Sequence, residues 1–249
     1  MIKVILLLIS LILPINSITL TNNNFVYLKG SVSSKSVNHW NHQLLKINTT
    51  KPILFISSNG GSVLAGMNFI QTIKSLQHQG KEITCIADVA LSMGFVILQY
   101  CDKRLVTYSS ILMQHQMSLG IEGDLENVLN YLDYLKQVRK IIDKDQALKI
   151  GLTLDKFQSK TEHDWWLIGN RALKEKVADE MVTYNCDEKL VNEKEIDRIE
   201  TIFGNIRIEF SRCPLIRNPL KVSFTQVKDK KELKKELNNH LNILKNKKF

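Results

Sequence analysis

Apolar residues arrive along this chain in two alternating rhythms. Short unbroken runs, Ile53-Leu54-Phe55-Ile56 and Ile83-Thr84-Cys85-Ile86-Ala87, are bounded by Pro52, by Asn59-Gly60-Gly61 and by Gly80. Runs of this length closed by turn residues suit strands buried on both faces of a parallel sheet. Between them the period lengthens to that of a helix: Ile70, Ile73 and Leu76 share one face of a segment over 63–77, and Val37, Trp40, Leu44, Leu45 and Ile47 mark another over 36–47. Phe25-Val26-Tyr27-Leu28 reads as a short strand ending at Lys29-Gly30, 95–100 as a short buried helix, and 104–108 and 111–115 as two strand-like pieces. A long helix is expected after Asp124, a suitable N-cap, with Leu125, Val128, Leu129, Leu132, Leu135, Val138 and Ile142 at helical spacing. Two further helices, 152–159 and 169–176, and a last strand over 177–182 follow. This alternation predicts an α/β layer fold with a parallel sheet.

Both ends depart from that pattern. Lys3 precedes the apolar run Val4 to Leu13, and Pro14, Asn16 and Ser17 come next. A basic start, a short apolar stretch and a small residue after it describe a secretory signal peptide, or a signal anchor if the run extends to Leu20. The expected division is therefore 1–20 as leader, 24–184 as the globular domain and 185–249 as a C-terminal extension. Within the extension Ile202, Phe203, Ile206, Ile208 and Phe210 could form a bulged strand. From Val227 onward Leu233, Leu237, Leu241 and Leu244 lie on one stripe of an amphipathic helix.

Composition changes this picture little. The 249 residues are 44% hydrophobic and 24% charged, enough for one real core and too polar for a membrane bundle. The net charge of +9 would suggest a nucleic-acid partner, but from Lys221 onward nine Lys against Asp229, Glu232 and Glu236 account for +6 of it. The body is close to neutral, and only Phe224 and Phe249 interleave with those lysines, so no stacking platform for nucleic acid is expected. None of the four cysteines forms a C-x-x-C pair. Cys85 and Cys101, in apolar stretches, are expected as buried thiols, and Cys186 and Cys213 could pair in an oxidising compartment.

Four short segments carry candidate chemistry. Ser92, in Ala90-Leu91-Ser92-Met93-Gly94, falls where a buried strand turns into a buried helix. The unpaired N–H groups of a helix start favour negative charge there, although most serines at such places are simply caps. Ser57-Ser58-Asn59-Gly60-Gly61-Ser62 links another strand to a helix. Its glycines allow close backbone approach, or make a plain tight turn; no nucleotide-binding glycine pattern is present. His115, in Met113-Gln114-His115-Gln116 at a strand end, could serve as general base to a serine, or be an ordinary core-edge histidine. Asp164, in Glu162-His163-Asp164-Trp165-Trp166, could orient that imidazole, or cap the following helix.

Taken in order, these segments resemble the Clp protease proteolytic subunit (ClpP) family of the crotonase-like superfold, over 53–182. The family's N-S-P-G-G corresponds to Ser58-Asn59-Gly60-Gly61 preceded by Ser57, its A-G-M to Ala65-Gly66-Met67, and its A-S-M-[GA] to Leu91-Ser92-Met93-Gly94. Its M-I-H-Q corresponds to Met113-Gln114-His115-Gln116, and its acidic residue to Asp164 before Trp165-Trp166. The resemblance implies an α/β fold of repeated β-β-α units with a long handle helix, assembled into a homo-oligomeric ring. It implies a serine endopeptidase acting on peptides or unfolded protein, with Ser92 as nucleophile, His115 as base, Asp164 as orienter, and the backbone N–H groups of Gly61 and Met93 as oxyanion hole. No cofactor and no metal are called for.

The chain also departs from the family. Asn59 replaces the proline of N-S-P-G-G, Met117 the proline after H-Q, and Lys176 the glycine before the last strand; the loop over 77–82 looks slightly longer. The leader stands where axial loops that contact an ATPase are expected, so a Clp ATPase partner is not expected. The enzyme would then be extracytoplasmic (secreted, periplasmic or luminal) or membrane-anchored. Three other readings compete. A Ser-Lys dyad like that of signal peptide peptidases needs a lysine at the site, and neither Lys81 nor Lys103 is clearly placed. A non-catalytic scaffold could keep the fold alone. An acyl-CoA hydratase needs a carboxylate near the glycines, where Ser62-Val63-Leu64-Ala65 offers none.

Overall fold

The structure is a computed structural model, and it describes residues 16–201 and 204–226. In chain order its elements are β1 (Ser17–Leu20), β2 (Phe25–Val32), α1 (Ser34–Lys46), β3 (Ile53–Gly61), α2 (Val63–His78), β4 (Thr84–Leu91), α3 (Met93–Gln99), β5 (Lys103–Gln114), α4 (Leu125–Ile150), α5 (Leu154–Thr161), β6 (Trp165–Ile168), α6 (Gly169–Lys174), β7 (Glu180–Met181), β8 (Thr183–Cys186), α7 (Glu188–Asn192), β9 (Lys194–Thr201), β10 (Gly204–Ser211) and β11 (Lys221–Gln226). The chain divides into two compact units, one built on Asn23–Tyr184 and the other on the chain from Asn185 onward together with Thr19–Asn22.

In the first unit β2, β3, β4 and β5 run parallel in that order; β6 adds antiparallel to β5, and β7 pairs with the opening half of β5. The apolar run Ile53-Leu54-Phe55-Ile56 lies in the second strand of that order and is buried throughout. Helices cover it through their apolar faces: Val37, Trp40 and Leu44 of α1, and Phe69, Ile70, Ile73 and Leu76 of α2. Local chemistry sets the helix ends. Ser33 and Ser36 form a reciprocal capping box on α1, Ser62 accepts from the Ala65 N–H to cap α2, Thr153 does the same for α5, and Gly151 ends α4 with φ +80°. Asp124 stands at the N-cap of α4 as expected but makes no side-chain capping bond.

A crease crosses the sheet. The register shifts between Lys29 and Ser31 on β2, between Ile56 and Ser57 on β3, and between Ala87 and Val89 on β4. On β5 the excursion takes up 107–110, where Ser110 Oγ accepts from the Thr107 N–H at 2.6 Å and donates to the Ala87 carbonyl at 2.6 Å. This explains why 104–108 and 111–115 look like separate pieces in the sequence: they are the two halves of one bent strand. Such irregularities re-aim strand ends, and the halves of β3, β4 and β5 beyond the crease lead into the segments of Gly60-Gly61, Ser92 and His115.

Two expectations for this unit are corrected. Cys85 and Cys101 are not thiols but a disulfide, both residues being at most 1% exposed. The sequence shows each in apolar surroundings, but only the return of α3 onto β4 brings the two sulfurs together. The last strand is shorter than 177–182, because Val177 and Ala178 donate to the Ala172 carbonyl and close the end of α6 instead.

Among the described residues the second unit is β-rich. β9, β10 and β11 form an antiparallel sheet in the order β11-β10-β9, in which Ile206 pairs with Ile199 and Phe224. Asp187 caps the short α7, and Cys186 is disulfide-bonded to Cys213. The expected strand through Ile206, Ile208 and Phe210 is β10; Ile202 and Phe203 lie outside the described residues. So do the apolar run Val4 to Leu13 and the amphipathic stripe from Leu233. No described helix is long and apolar enough to cross a membrane.

Candidate active site

Ser92 sits in the one-residue turn between β4 and α3, with φ +53° and ψ −117°. For a residue with a Cβ this backbone is strained, and such strain persists only where the surroundings impose it. Two constraints are visible. The Ser92 N–H donates to the Met113 carbonyl at 2.8 Å, tying the turn to β5. On the other side Gly60 is so close that a Cβ there would lie 2.7 Å from Ser92 Cβ, 2.7 Å from the Leu91 oxygen and 2.9 Å from Met93 N. Gly66 similarly leaves room for the Met93 side chain, which a Cβ would approach to 2.3 Å. The two glycine-bearing segments therefore pack directly on the Ser92 turn. These packing roles were not separable in the sequence from a flexible turn.

His115 follows β5 immediately, two residues beyond the carbonyl that holds Ser92. Its Nε2 lies 2.9 Å from Ser92 Oγ, within hydrogen-bond reach for proton transfer. The neighbouring Gln114 is 5% exposed; its side-chain oxygen accepts from the His115 N–H at 3.2 Å, and its amide nitrogen donates to Gln146 of α4 at 2.6 Å. Gln146, fully buried, donates in turn to the Ile142 carbonyl. A buried amide pair with satisfied partners thus anchors the backbone of the histidine to the long helix.

Asp164 precedes β6. The β5–β6 register ends on Gln114 opposite Trp165, one residue short of His115 and Asp164. The Asp164 side chain is exposed, and among the described residues no hydrogen bond joins it to His115. The structure therefore brings Ser92 and His115 together and does not join the Asp164 carboxylate to them.

Of the two N–H groups expected to form an oxyanion hole, that of Met93 opens α3, where a helix leaves its first donors without intrahelical acceptors. Gly61 ends β3 with φ +145°, and a Cβ there would lie 2.4 Å from the Val32 carbonyl oxygen, so only glycine fits. A small pocket of about 40 Å³ opens beside Ser92 and His115. Its walls include Val63, Met93, Val96 and Met117, and its α4 side carries Arg139, Ile142, Asp143 and Gln146. No lysine lines it. Lys81 donates to the Ile47 carbonyl and Lys103 pairs with Glu180. Arg139 and Asp143 went unnoticed in the sequence; their i,i+4 spacing on an otherwise charged helix face carries no mark of a pocket.

The site is thus a creased, mainly parallel α/β sheet presenting a serine at a strained strand-to-helix turn with a histidine on its hydroxyl. The sequence profile of the Clp protease family matches residues 15–185, and the chain belongs to that family. It is 27% identical over 172 residues to the ATP-dependent Clp protease proteolytic subunit 2 of Synechococcus sp. (strain CC9605), covering 66% of this chain and 85% of the relative. It is 26% identical over 174 residues to the protein of the same name from Bifidobacterium longum (strain NCC 2705), covering 66% and 81%.

Proposed function

We propose that this protein is a serine endopeptidase in which Ser92 Oγ attacks the substrate carbonyl, His115 accepts its proton, and Asp164 turns inward to hold the imidazole. The 2.9 Å separation of Ser92 Oγ and His115 Nε2 at the start of α3 carries this reading. The neutral imidazole takes the hydroxyl proton as the C–O bond forms, then returns it to the leaving amine; water repeats the cycle on the acyl-enzyme. The oxyanion would be met by the N–H groups of Met93 and Gly61, each such donor contributing about 10²–10³ in rate. Asp164 follows the end of the β5–β6 pairing by one residue, as His115 does on the other strand, and this nearness supports giving it the orienting role. Substrates would be peptides or unfolded segments of protein.

The relatives are named as ATP-dependent subunits. For this chain we favour a homo-oligomeric ring acting without an ATPase, in an extracytoplasmic or membrane-associated setting. Two disulfides and the apolar run Val4 to Leu13 support that setting, since disulfides persist where the thiol pool is oxidising.

The test is labelling with a fluorophosphonate followed by peptide hydrolysis. Wild-type protein should be labelled at Ser92, and Ser92→Ala should be neither labelled nor active. A folded, assembled wild-type protein that resists labelling would leave only a scaffold with the fold of an enzyme. Asp164→Asn should retain the fold and lose about 10³–10⁴ in kcat, as expected when the imidazole loses the group that sets its tautomer. An unchanged kcat would reduce the machinery to a Ser-His dyad.

A further inference from the structure

The pocket beside Ser92 has an uneven supply of hydrogen-bonding groups. Its glutamine amides are occupied with one another and with backbone: Gln114 Nε2 donates to Gln146 Oε1, Gln146 Nε2 to the Ile142 carbonyl, and the His115 N–H to Gln114 Oε1. Asp143, whose side chain is 13% exposed, accepts on the same Oδ2 from Arg139 Nε at 3.2 Å and from Gln158 Nε2 at 3.1 Å. Arg139 spends only Nε on that contact. Among the described residues its two terminal nitrogens have no hydrogen-bond partner, and its side chain is 36% exposed. A guanidinium held through Nε presents its outer fork of donors, suited to a carbonyl or carboxylate oxygen. Around it the walls are apolar: Val63, Met93, Val96 and Met117.

We propose that Arg139 is a specificity-determining residue and that this pocket takes a substrate side chain with a short apolar stem ending in an acceptor oxygen, glutamate or glutamine, in preference to a purely aliphatic one. This rests on the hydrolase reading above and deepens it. The stem packs on the methionine and valine walls, and the terminal oxygen meets the fork of Arg139. Asp143 holds the guanidinium in place and works against any cationic side chain.

The experiment measures kcat/KM for one fluorogenic peptide scaffold with Glu, Gln, Leu, Phe or Lys before the scissile bond, using the assembled full-length protein. The expected result is that Glu or Gln exceeds Leu by about tenfold or more, the difference made by a hydrogen bond to a charged group. Comparing Glu with Gln tells whether charge or the acceptor oxygen alone is read. In Arg139→Met the preference should invert toward Leu. In Arg139→Lys a preference for the acceptor should persist but shrink, because a point charge replaces the fork. A wild-type preference for Leu or Phe, or the same Glu-to-Leu ratio in wild type and Arg139→Met, overturns the assignment. Fluorophosphonate labelling of the wild-type protein, run in parallel, separates the two levels: labelled protein without the preference sinks only the role of Arg139, whereas absence of label on assembled protein sinks the hydrolase.

Discussion

Two residues with a Cβ take positive φ among the described residues, and they do so for opposite reasons. Ser92, at φ +53°, is held by the Met113 carbonyl and the flank of Gly60, and its strain aims Oγ at His115. Lys176, at φ +58°, merely closes α6, in a position where the family carries glycine. The left-handed region costs a residue with a Cβ about 1–2 kcal/mol. Lys176→Gly should therefore raise stability by about 1 kcal/mol in chemical denaturation, with hydrolysis unchanged. Ser92→Gly should also unfold no more easily than wild type while abolishing turnover, which separates strain kept for function from strain merely tolerated. Both positions are visible in the sequence as departures or motif matches. That Ser92 is held by β5 and by the Gly60 segment, whereas Lys176 is held only by the end of its own helix through the Leu173 carbonyl, is a property of packing.

Among the elements, β5 is the one on which most depends. Its opening residue pairs bind β4 and β7, its bend sets the crease, and its end presents His115. Arg104 near its start is 5% exposed and joins distant parts of the unit: its backbone N–H, Nε and NH2 all donate to the Asp179 carboxylate, and its NH1 donates to Gln99 at 2.7 Å. Burial by itself would raise the Asp179 carboxyl above its usual value, but the Arg104 hydrogen bonds and charge more than offset this and hold it below. A carboxyl with a depressed native value adds stability above its unfolded value and loses it as pH falls toward the native one. Wild type should thus be more stable than Asp179→Asn at neutral pH, and the gap should close as pH falls below about 4. A gap that stays constant from pH 7 to pH 3 would show that the contact does not act through ionisation.

Across the whole molecule, the first unit carries the site and the second carries a disulfide-closed sheet. Cys186 and Cys213 lie 27 residues apart, and a crosslink of that length stabilises by about 3.5 kcal/mol in the chain-entropy account. Cys186→Ser should lower the unfolding midpoint of the second unit, read by limited proteolysis beyond residue 185, and leave Ser92 labelling in place. The long α4 exposes Leu125, Leu129, Tyr131, Tyr134, Ile141 and Leu148. A ring that buries this apolar surface, Tyr134, Ile141 and Leu148 on one side of α4 and Leu125 and Leu129 on another, should sediment as a single species of several subunits, and charged substitutions at Leu129 and Ile141 should shift it toward monomer; a wild-type protein that sediments only as monomer would remove the ring from the proposal.

The order of strands and helices was legible in the sequence because apolar period, caps and turn residues are local, and they reach the structure almost unchanged from α1 to α6. Ser92 and His115 stood out in the sequence at the ends of elements, and the catalytic roles given to them and to Asp164 came from the resemblance to a known family. Four things were not legible: the single bent β5, the Cys85–Cys101 bond, the β-sheet of the second unit, and the Arg139–Asp143 side of the pocket. Each depends on which segments meet across the fold rather than on neighbours in sequence. Sheet register decides that His115 reaches Ser92, and helix packing decides which polar residues of α4 line the pocket beside them. A one-dimensional pattern carries the periods that build the elements; only their closure in space brings the Ser92 hydroxyl and the His115 ring, far apart along the chain, within 2.9 Å.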